Sequence, residues 1–362
     1  MNWRESKGMW MLLHRTTPGK PWRRLAAVLS AATLGVGLLA GCGSGSTDSA
    51  DDKGEGTQAA AAGDFPVTVE HAFGSTTVEK APQRVVSVGY TDDQTVLAFG
   101  IKPVGMVDQY PNPPGKSPDI NTQWPWVKDK WGDTKPEVVM KNGDSGPNYE
   151  KIASLRPDLI VAVYSEIDQA AYDKLSKIAP TVARTKGEKE PFSAPWQDNA
   201  LHIAKALGKA DEGQKMVDDI QGQLDTAKKE HPELGKQTAV ALSWYENSVA
   251  PFTSTDVRGR LVTGIGFKYQ TGIDKVAGGS FYTKLSPERI DLVDVDHIFV
   301  INDKADTEAL KKFKLFANLD AVKKGNVSYL LDSEGPAVGA AISQGTLLSM
   351  PYAIDELVKS VE

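Results

Sequence analysis

The chain has 362 residues, 41 Lys/Arg against 47 Asp/Glu and a formal net charge of −6; that balance argues against nucleic acid as a partner, because phosphate binding needs a positive field. A single cysteine, Cys42, excludes an intramolecular disulfide and every cysteine-based metal or redox motif. The histidines are scattered with no pair at ligand spacing, so neither a cofactor nor a metal held by the protein's own side chains is expected.

The first element is a leader. Arg23 and Arg24 precede an uncharged run from Leu25 that closes on Leu39-Ala40-Gly41-Cys42, the charged, apolar and small-residue order of a secretory signal. Its eighteen uncharged residues include three glycines, short of the roughly 20 strongly apolar ones that a membrane span needs. The end of the run resembles the lipobox of bacterial lipoproteins, which implies that Cys42 becomes the first mature residue and carries acyl chains. Two or three such chains, at about 0.8 kcal/mol per buried methylene, anchor a protein stably. Residues 1–42 are thus read as an address, with Met9 or Met11 as alternative starts, and the expected location is extracytoplasmic and lipid-anchored. Removing them takes away six Lys/Arg and one Glu, leaving 35 basic and 46 acidic residues and a net charge near −11.

Residues 43–64, rich in Gly, Ser, Ala, Asp and Thr without apolar periodicity, read as a disordered tether. Phe65 to Glu79 reads as a hairpin around Gly74-Ser75. From Arg84 the pattern alternates: strand Val85–Val88, helix Asp92–Phe99, strand Val104–Val107, helix Tyr149–Leu155, strand Leu159–Val163, helix Gln169–Ile178, strand Pro180–Ala183. Such alternation predicts a mostly parallel sheet covered on both faces. Ala210 to His231 places Met216, Val217, Ile220, Leu224 and Ala227 on one helical stripe, and Pro232 stops it. The theme then repeats with strands Thr238–Ser243, His297–Ile301 and Val327–Leu331, a helix near Arg258–Ile265 and a final helix Gln344–Val361. The expected organisation is an N-terminal α/β lobe over 65–209, a backbone helix over 210–232 and a C-terminal α/β lobe over 233–362.

Particular stretches carry a resemblance. Pro82-Gln-Arg-Val-Val-Ser-Val, Gly100-Ile-Lys-Pro-Val-Gly105, Tyr149-Glu-Lys-Ile-Ala-Ser-Leu-Arg-Pro-Asp-Leu-Ile-Val and the mirrored Leu285-Ser-Pro-Glu-Arg-Ile-Asp-Leu-Val-Asp-Val-Asp-His-Ile-Phe-Val are similar to the cobalamin and ferric-siderophore class of ABC-importer solute-binding proteins. Within that class the chain most resembles ferrioxamine-type, hydroxamate-siderophore receptors. The resemblance implies the class III periplasmic-binding-protein fold, two Rossmann-like α/β lobes on one long helix. It further implies a monomer that docks on an ABC permease dimer through one glutamate per lobe, here Glu150 and Glu288. On their own residues these carboxylates read equally as partners of a helix N-terminus.

In such an architecture ligands sit outside the carboxyl ends of the strands. The loops there hold Tyr90, Tyr110, Trp126, Tyr164 and Trp196 in the first lobe, and Trp244, Tyr245, Arg258 and Tyr282 in the second. Trp and Tyr pack alkyl linkers and donate N–H or O–H groups, while a guanidinium fork reaches carbonyl or hydroxamate oxygens. Few Lys/Arg fall in these loops, which favours a ferric hydroxamate over a catecholate trianion. Cobalamin, haem and catecholate siderophores are the alternative ligands. A secreted enzyme is the remote alternative, since Ala341-Ile-Ser343-Gln-Gly345 lacks the first glycine of a nucleophile elbow and Gly264-Ile-Gly266-Phe-Lys-Tyr269 ends in tyrosine.

Overall fold

The computed structural model describes Gly63 and residues 65–362 except 111–119, 189 and 333. The leader, Cys42 and residues 43–62 of the tether lie outside the described residues. No helix among the described residues is long and apolar enough to cross a membrane.

The fold opens with the hairpin β1 (Val67–His71) and β2 (Gly74–Val78), antiparallel with Val67 opposite Val78. Its turn is Ala72-Phe73 rather than Gly74-Ser75, because His71 already pairs with Gly74. The first sheet contains β3 (Val85–Ser87), β4 (Gly105–Asp108), β5 (Glu137–Lys141), β6 (Leu159–Ala162) and β7 (Thr181–Ala183), in the order β5-β4-β3-β6-β7. All its pairings are parallel. The apolar runs expected as strands are buried on both faces, as a helix-covered parallel sheet requires. The sequence reading has no counterpart for β5, so the strand entered by Leu159 is the fourth of this sheet rather than the third.

The second sheet contains β8 (Thr238–Tyr245), β9 (Ser248–Pro251), β10 (Lys268–Tyr269), β11 (His297–Asn302) and β12 (Val327–Leu331), ordered β10-β8-β11-β12. β9 folds back antiparallel on the far half of β8. The turn between them is Glu246-Asn247, both at positive φ of 46° and 60°, the pairing that a two-residue hairpin needs.

Between the sheets runs one helix, Ala210–Glu230, of 21 residues, a rod of about 32 Å at 1.5 Å per residue. Its buried stripe is Gly213, Val217, Ile220, Leu224 and Ala227, with Met216 only half-buried at the margin. At one end it packs on the helix Trp196–Ala206 of the first lobe, and further along on Val257–Gly264 and Ser349–Lys359 of the second. A Cβ on Gly213 would come within 2.5 Å of Ala204 Cβ, so the glycine is what permits the close crossing.

The chain ends differently from expectation. Val338–Gln344 is one helix and Ser349–Lys359 another. Gly345, at φ 58°, ends the first in the left-handed conformation that glycine adopts without a Cβ penalty. The break delivers Gln344 and Thr346 to the junction of the lobes. There Leu97, Met106, Trp124, Val127 and Trp131 of the first lobe form one apolar cluster with Ala337 and Ala340 of the second.

Candidate ligand-binding cleft

Strand order locates the cleft. In the first sheet the chain passes from β3 outward to β4 and β5, then returns to lay β6 on the other side of β3. Ligands of doubly wound sheets bind outside the carboxyl ends of the strands at that reversal. The residues leaving β3 and β6 are Tyr90 and Tyr164, and Tyr90 N–H donates to the Tyr164 carbonyl at 2.9 Å.

An aromatic wall stands on them. The Phe192 ring lies 4.7 Å from Tyr164 and 5.9 Å from Tyr90, between centroids. Phe281 of the second lobe meets Phe192 edge-on at 6.1 Å, and Tyr282 stands 5.0 Å behind it. Phe192 has a φ of 68°, a strained value for a bulky residue, accepted where the backbone must turn its ring into this cluster. A second wall begins at Tyr110, whose ring meets Trp124 edge-on at 5.4 Å; Trp124 stacks on Trp126 at 5.1 Å, and Trp126 meets Tyr352 of the last helix at 5.4 Å.

The floor is a chain of neutral amides. Trp126 Nε1 and Thr346 Oγ1 both donate to Gln94 Oε1 at 2.9 Å. Gln94 Nε2 donates to Gln344 Oε1 at 2.9 Å, and Gln344 Nε2 donates to Gln109 Oε1. Gln94, Gln109 and Gln344 are all buried. A void of about 20 Å³ beside this seam is lined by Thr91, Asp92, Thr95, Asn199, Gln344 and Thr346, among others, and one water fills such a space.

Arg258 belongs to the floor as well, 5% exposed. Its Nη1 donates to both oxygens of Asp256 at 2.9 Å and its Nε to Ser343 Oγ at 3.1 Å. The guanidinium carbon lies 3.9 Å from the Phe252 ring centroid. Burial pulls its pKa down, but the Asp256 carboxylate outweighs that and holds it above the ordinary value. The cation is therefore retained and already neutralised. Burial acts oppositely on the phenols. It raises Tyr110 and Tyr164 well above the ordinary range, and with Glu166 behind it pushes Tyr90 up to about 12. All three remain O–H donors at neutral pH. Among the described residues no group of three or more His, Cys, Asp or Glu side chains is placed to hold a metal.

The other expected site residues are placed as follows. Trp196 opens the helix Trp196–Ala206 and is buried at the edge of the void rather than in a loop. Trp244 and Tyr245 are the last residues of β8, not a loop after it. Trp244 is 8% exposed in the second lobe's core with its ring 5.1 Å from Phe313. Its expected place in a loop is corrected: the hairpin with β9 extends the strand through it. Tyr245 is half-buried at the hairpin, with the Lys284 ammonium 5.9 Å from its ring centroid. Tyr282 is buried, bridged through its backbone to Phe252.

Glu150 and Glu288 are both exposed. Glu150 is in the first turn of the helix Tyr149–Ser154, capped by Asn148. Glu288 instead enters a 3-10 helix, Pro287–Val293, and its own backbone N–H together with Ser286 lowers its pKa. The mirror between the lobes is thus inexact in helix type. Phe192 and Phe281 lay in the expected cleft loops without being singled out. Gln94, Gln109, Gln344 and Thr346 carry no signal beyond ordinary polar residues until the fold brings them together.

Comparison with known proteins agrees with this fold. A family model described as periplasmic binding protein matches residues 85–334. The probable siderophore-binding lipoprotein YfiY of Bacillus subtilis is 28% identical, with 78% of this chain and 85% of the relative covered. The Fe(3+)-citrate-binding protein YfmC of the same organism is also 28% identical, covering 84% and 88%. The crystal structure of Streptococcus pneumoniae PiaA in complex with ferrichrome matches with a TM-score of 0.67 at 27% identity, over 82% of this chain and 97% of that one. With more than half of its length matched and the two-lobed architecture on one long helix, the chain belongs to the periplasmic binding protein family, of the class III fold.

Proposed function

We propose that this chain is the lipid-anchored, extracytoplasmic substrate-binding protein of an ABC importer, and that it captures a ferric hydroxamate siderophore of the ferrioxamine type. Its relatives support the coarser part, being named as binders of a siderophore, of ferric citrate and of ferrichrome. One observation carries the finer part: the cleft pairs two aromatic walls with a floor of neutral amides, and Asp256 neutralises the Arg258 guanidinium. A chelate of low net charge with alkyl linkers suits such a lining, whereas a catecholate trianion needs surplus cations. The protonated phenols favour donation to chelate oxygens over direct ligation of iron, so the siderophore holds the metal and the protein holds the siderophore. In this reading Cys42 carries the acyl anchor, the protein acts as a monomer, and Glu150 and Glu288 face the permease dimer.

Tryptophan quenching tests the reading with a ferric trihydroxamate, ferric citrate, a ferric catecholate, haem and cobalamin, each at low and high salt. The hydroxamate should bind tightest, with an affinity nearly independent of salt. Tight catecholate or citrate binding that salt weakens steeply, with no hydroxamate binding, overturns it.

A further inference from the structure

Asp92 opens the helix Asp92–Ala98, yet its carboxylate is spent elsewhere. One oxygen accepts the Val163 N–H at 2.6 Å and the other the Tyr164 N–H at 3.0 Å. These are the residues that leave β6 at the strand reversal. The group is 1% exposed, and Gly89, leaving β3, makes room for it: a Cβ there would overlap the carboxylate. Three segments of the first lobe therefore converge on one side chain, and the Tyr90 to Tyr164 backbone bond closes the ring. An amide in its place supplies only one acceptor, leaving one of the two N–H groups unpaired.

We propose that Asp92 is the positioning residue of the ligand site: its carboxylate clamps the backbone at Val163 and Tyr164 and so sets where the Tyr164 ring stands in the aromatic wall. The effect on affinity rests on the reading of Tyr164 as a ligand contact; the clamp is measurable without ligand. The groups that face the carboxylate are Asp93 on its own helix, Glu188 beyond β7 and the Tyr164 phenol. The helix Trp196–Ala206 and residues 344–346 present the neutral Asn199, Gln344 and Thr346 to the same void. Burial, countered by the two N–H bonds and assisted by Glu188, brings the Asp92 pKa up to about 6. Acidification through that range protonates the carboxylate and weakens it as an acceptor.

The test has two arms. In nitrogen–proton spectra of the ligand-free protein, the Val163 and Tyr164 amide protons should shift together with a midpoint near 6, and the titration should vanish in Asp92→Asn. Affinity for a ferric trihydroxamate is then measured at pH 7.5 and at pH 5.5, under conditions where the free chelate's absorption band is unchanged. Wild type should bind about tenfold more weakly at the lower pH, and Asp92→Asn about tenfold more weakly than wild type at pH 7.5 with no further acid loss. Gly89→Ala, which displaces the carboxylate without altering it chemically, should reproduce the loss at pH 7.5. Hydrogen exchange at the Val163 and Tyr164 amides as fast as in an exposed loop of the wild type overturns the clamp whatever the ligand, even where a variant fails to fold. Titration with unchanged affinity in both variants overturns the positioning role. If wild type binds ferric citrate instead, the hydroxamate reading fails and the same variants are read on ferric citrate. Binding of neither chelate overturns both.

Discussion

The two lobes repeat one plan and use its reversal point differently. In the first, the Asp92 carboxylate accepts the Val163 and Tyr164 N–H groups beyond β6, and Tyr90 N–H donates to the Tyr164 carbonyl. In the second, the corresponding ends of β8 and β11 are closed. Asn302 accepts the Trp244 N–H at 2.8 Å and donates to its carbonyl at 3.1 Å, and the Trp244 ring fills the core against Phe313. β9, paired on the far half of β8, covers what remains of that edge. A doubly wound sheet offers a site at its reversal point, but the residues that leave the strands decide whether the offer is kept. Here the second lobe contributes Phe281, Arg258, Gln344 and Thr346 from beside its sheet rather than from that point.

The comparison breaks most visibly at Trp244. Trp244→Ala should cost about 3–5 kcal/mol of stability, read as a lower denaturant midpoint, with ligand affinity of the remaining folded protein close to wild type. A folded, fully stable variant with lost binding would return Trp244 to the cleft. Tyr164→Ala should also lower the folding midpoint, since the ring is buried against Phe192. Unlike Trp244→Ala, it should weaken the ferric chelate about thirtyfold in the protein that remains folded, through loss of an anchor worth about 2 kcal/mol.

A pH experiment sharpens the contrast within the first lobe. Asp93 is 2% exposed and its Oδ2 finds no partner; burial, then the neighbouring Asp92, raises its pKa from 3.8 to about 8. The folded state holds that proton more tightly than the unfolded chain does. Stability from this group is therefore full below about pH 4 and is lost as pH rises toward 8, by up to about 1.4 kcal/mol per pH unit. Asp93→Asn should flatten that slope between pH 5 and 8; an unchanged slope would show that Asp93 is ionised throughout. The smallest expected effect is on affinity in Glu150→Ala and Glu288→Ala, both exposed and outside the walls. Neither should alter chelate binding in purified protein, while each should lower iron uptake in cells; lost binding would place them in the scaffold.

The alternation of buried strands with helices, and the single long helix, were legible because apolar runs and a three-four stripe report burial directly. The errors are equally instructive. β5 escaped notice because Glu137 and Lys141 bracket only three apolar residues. The polar Ser243 predicts the end of β8, yet its hydroxyl is satisfied within the sheet by the Ile301 carbonyl at 2.8 Å, so the strand runs on and takes Trp244 into the core. The apolar pattern predicts a last helix starting at Gln344, yet Gly345 breaks it. The sequence shows Trp and Tyr beyond the strand ends, but Trp196 lies in a helix and Trp244 and Tyr245 in a strand. The amide seam was not legible, since Gln94 and Gln344 lie 250 positions apart and only the fold brings them together.

The position of iron is the most direct test of the account. Diffraction at the iron absorption edge from crystals grown with a ferric trihydroxamate should place the metal between the Tyr90–Tyr164–Phe192 wall and the Tyr110–Trp126 wall, with every iron ligand supplied by the chelate. Iron above the ends of β8 and β11, or bound directly to a tyrosine oxygen, would contradict it.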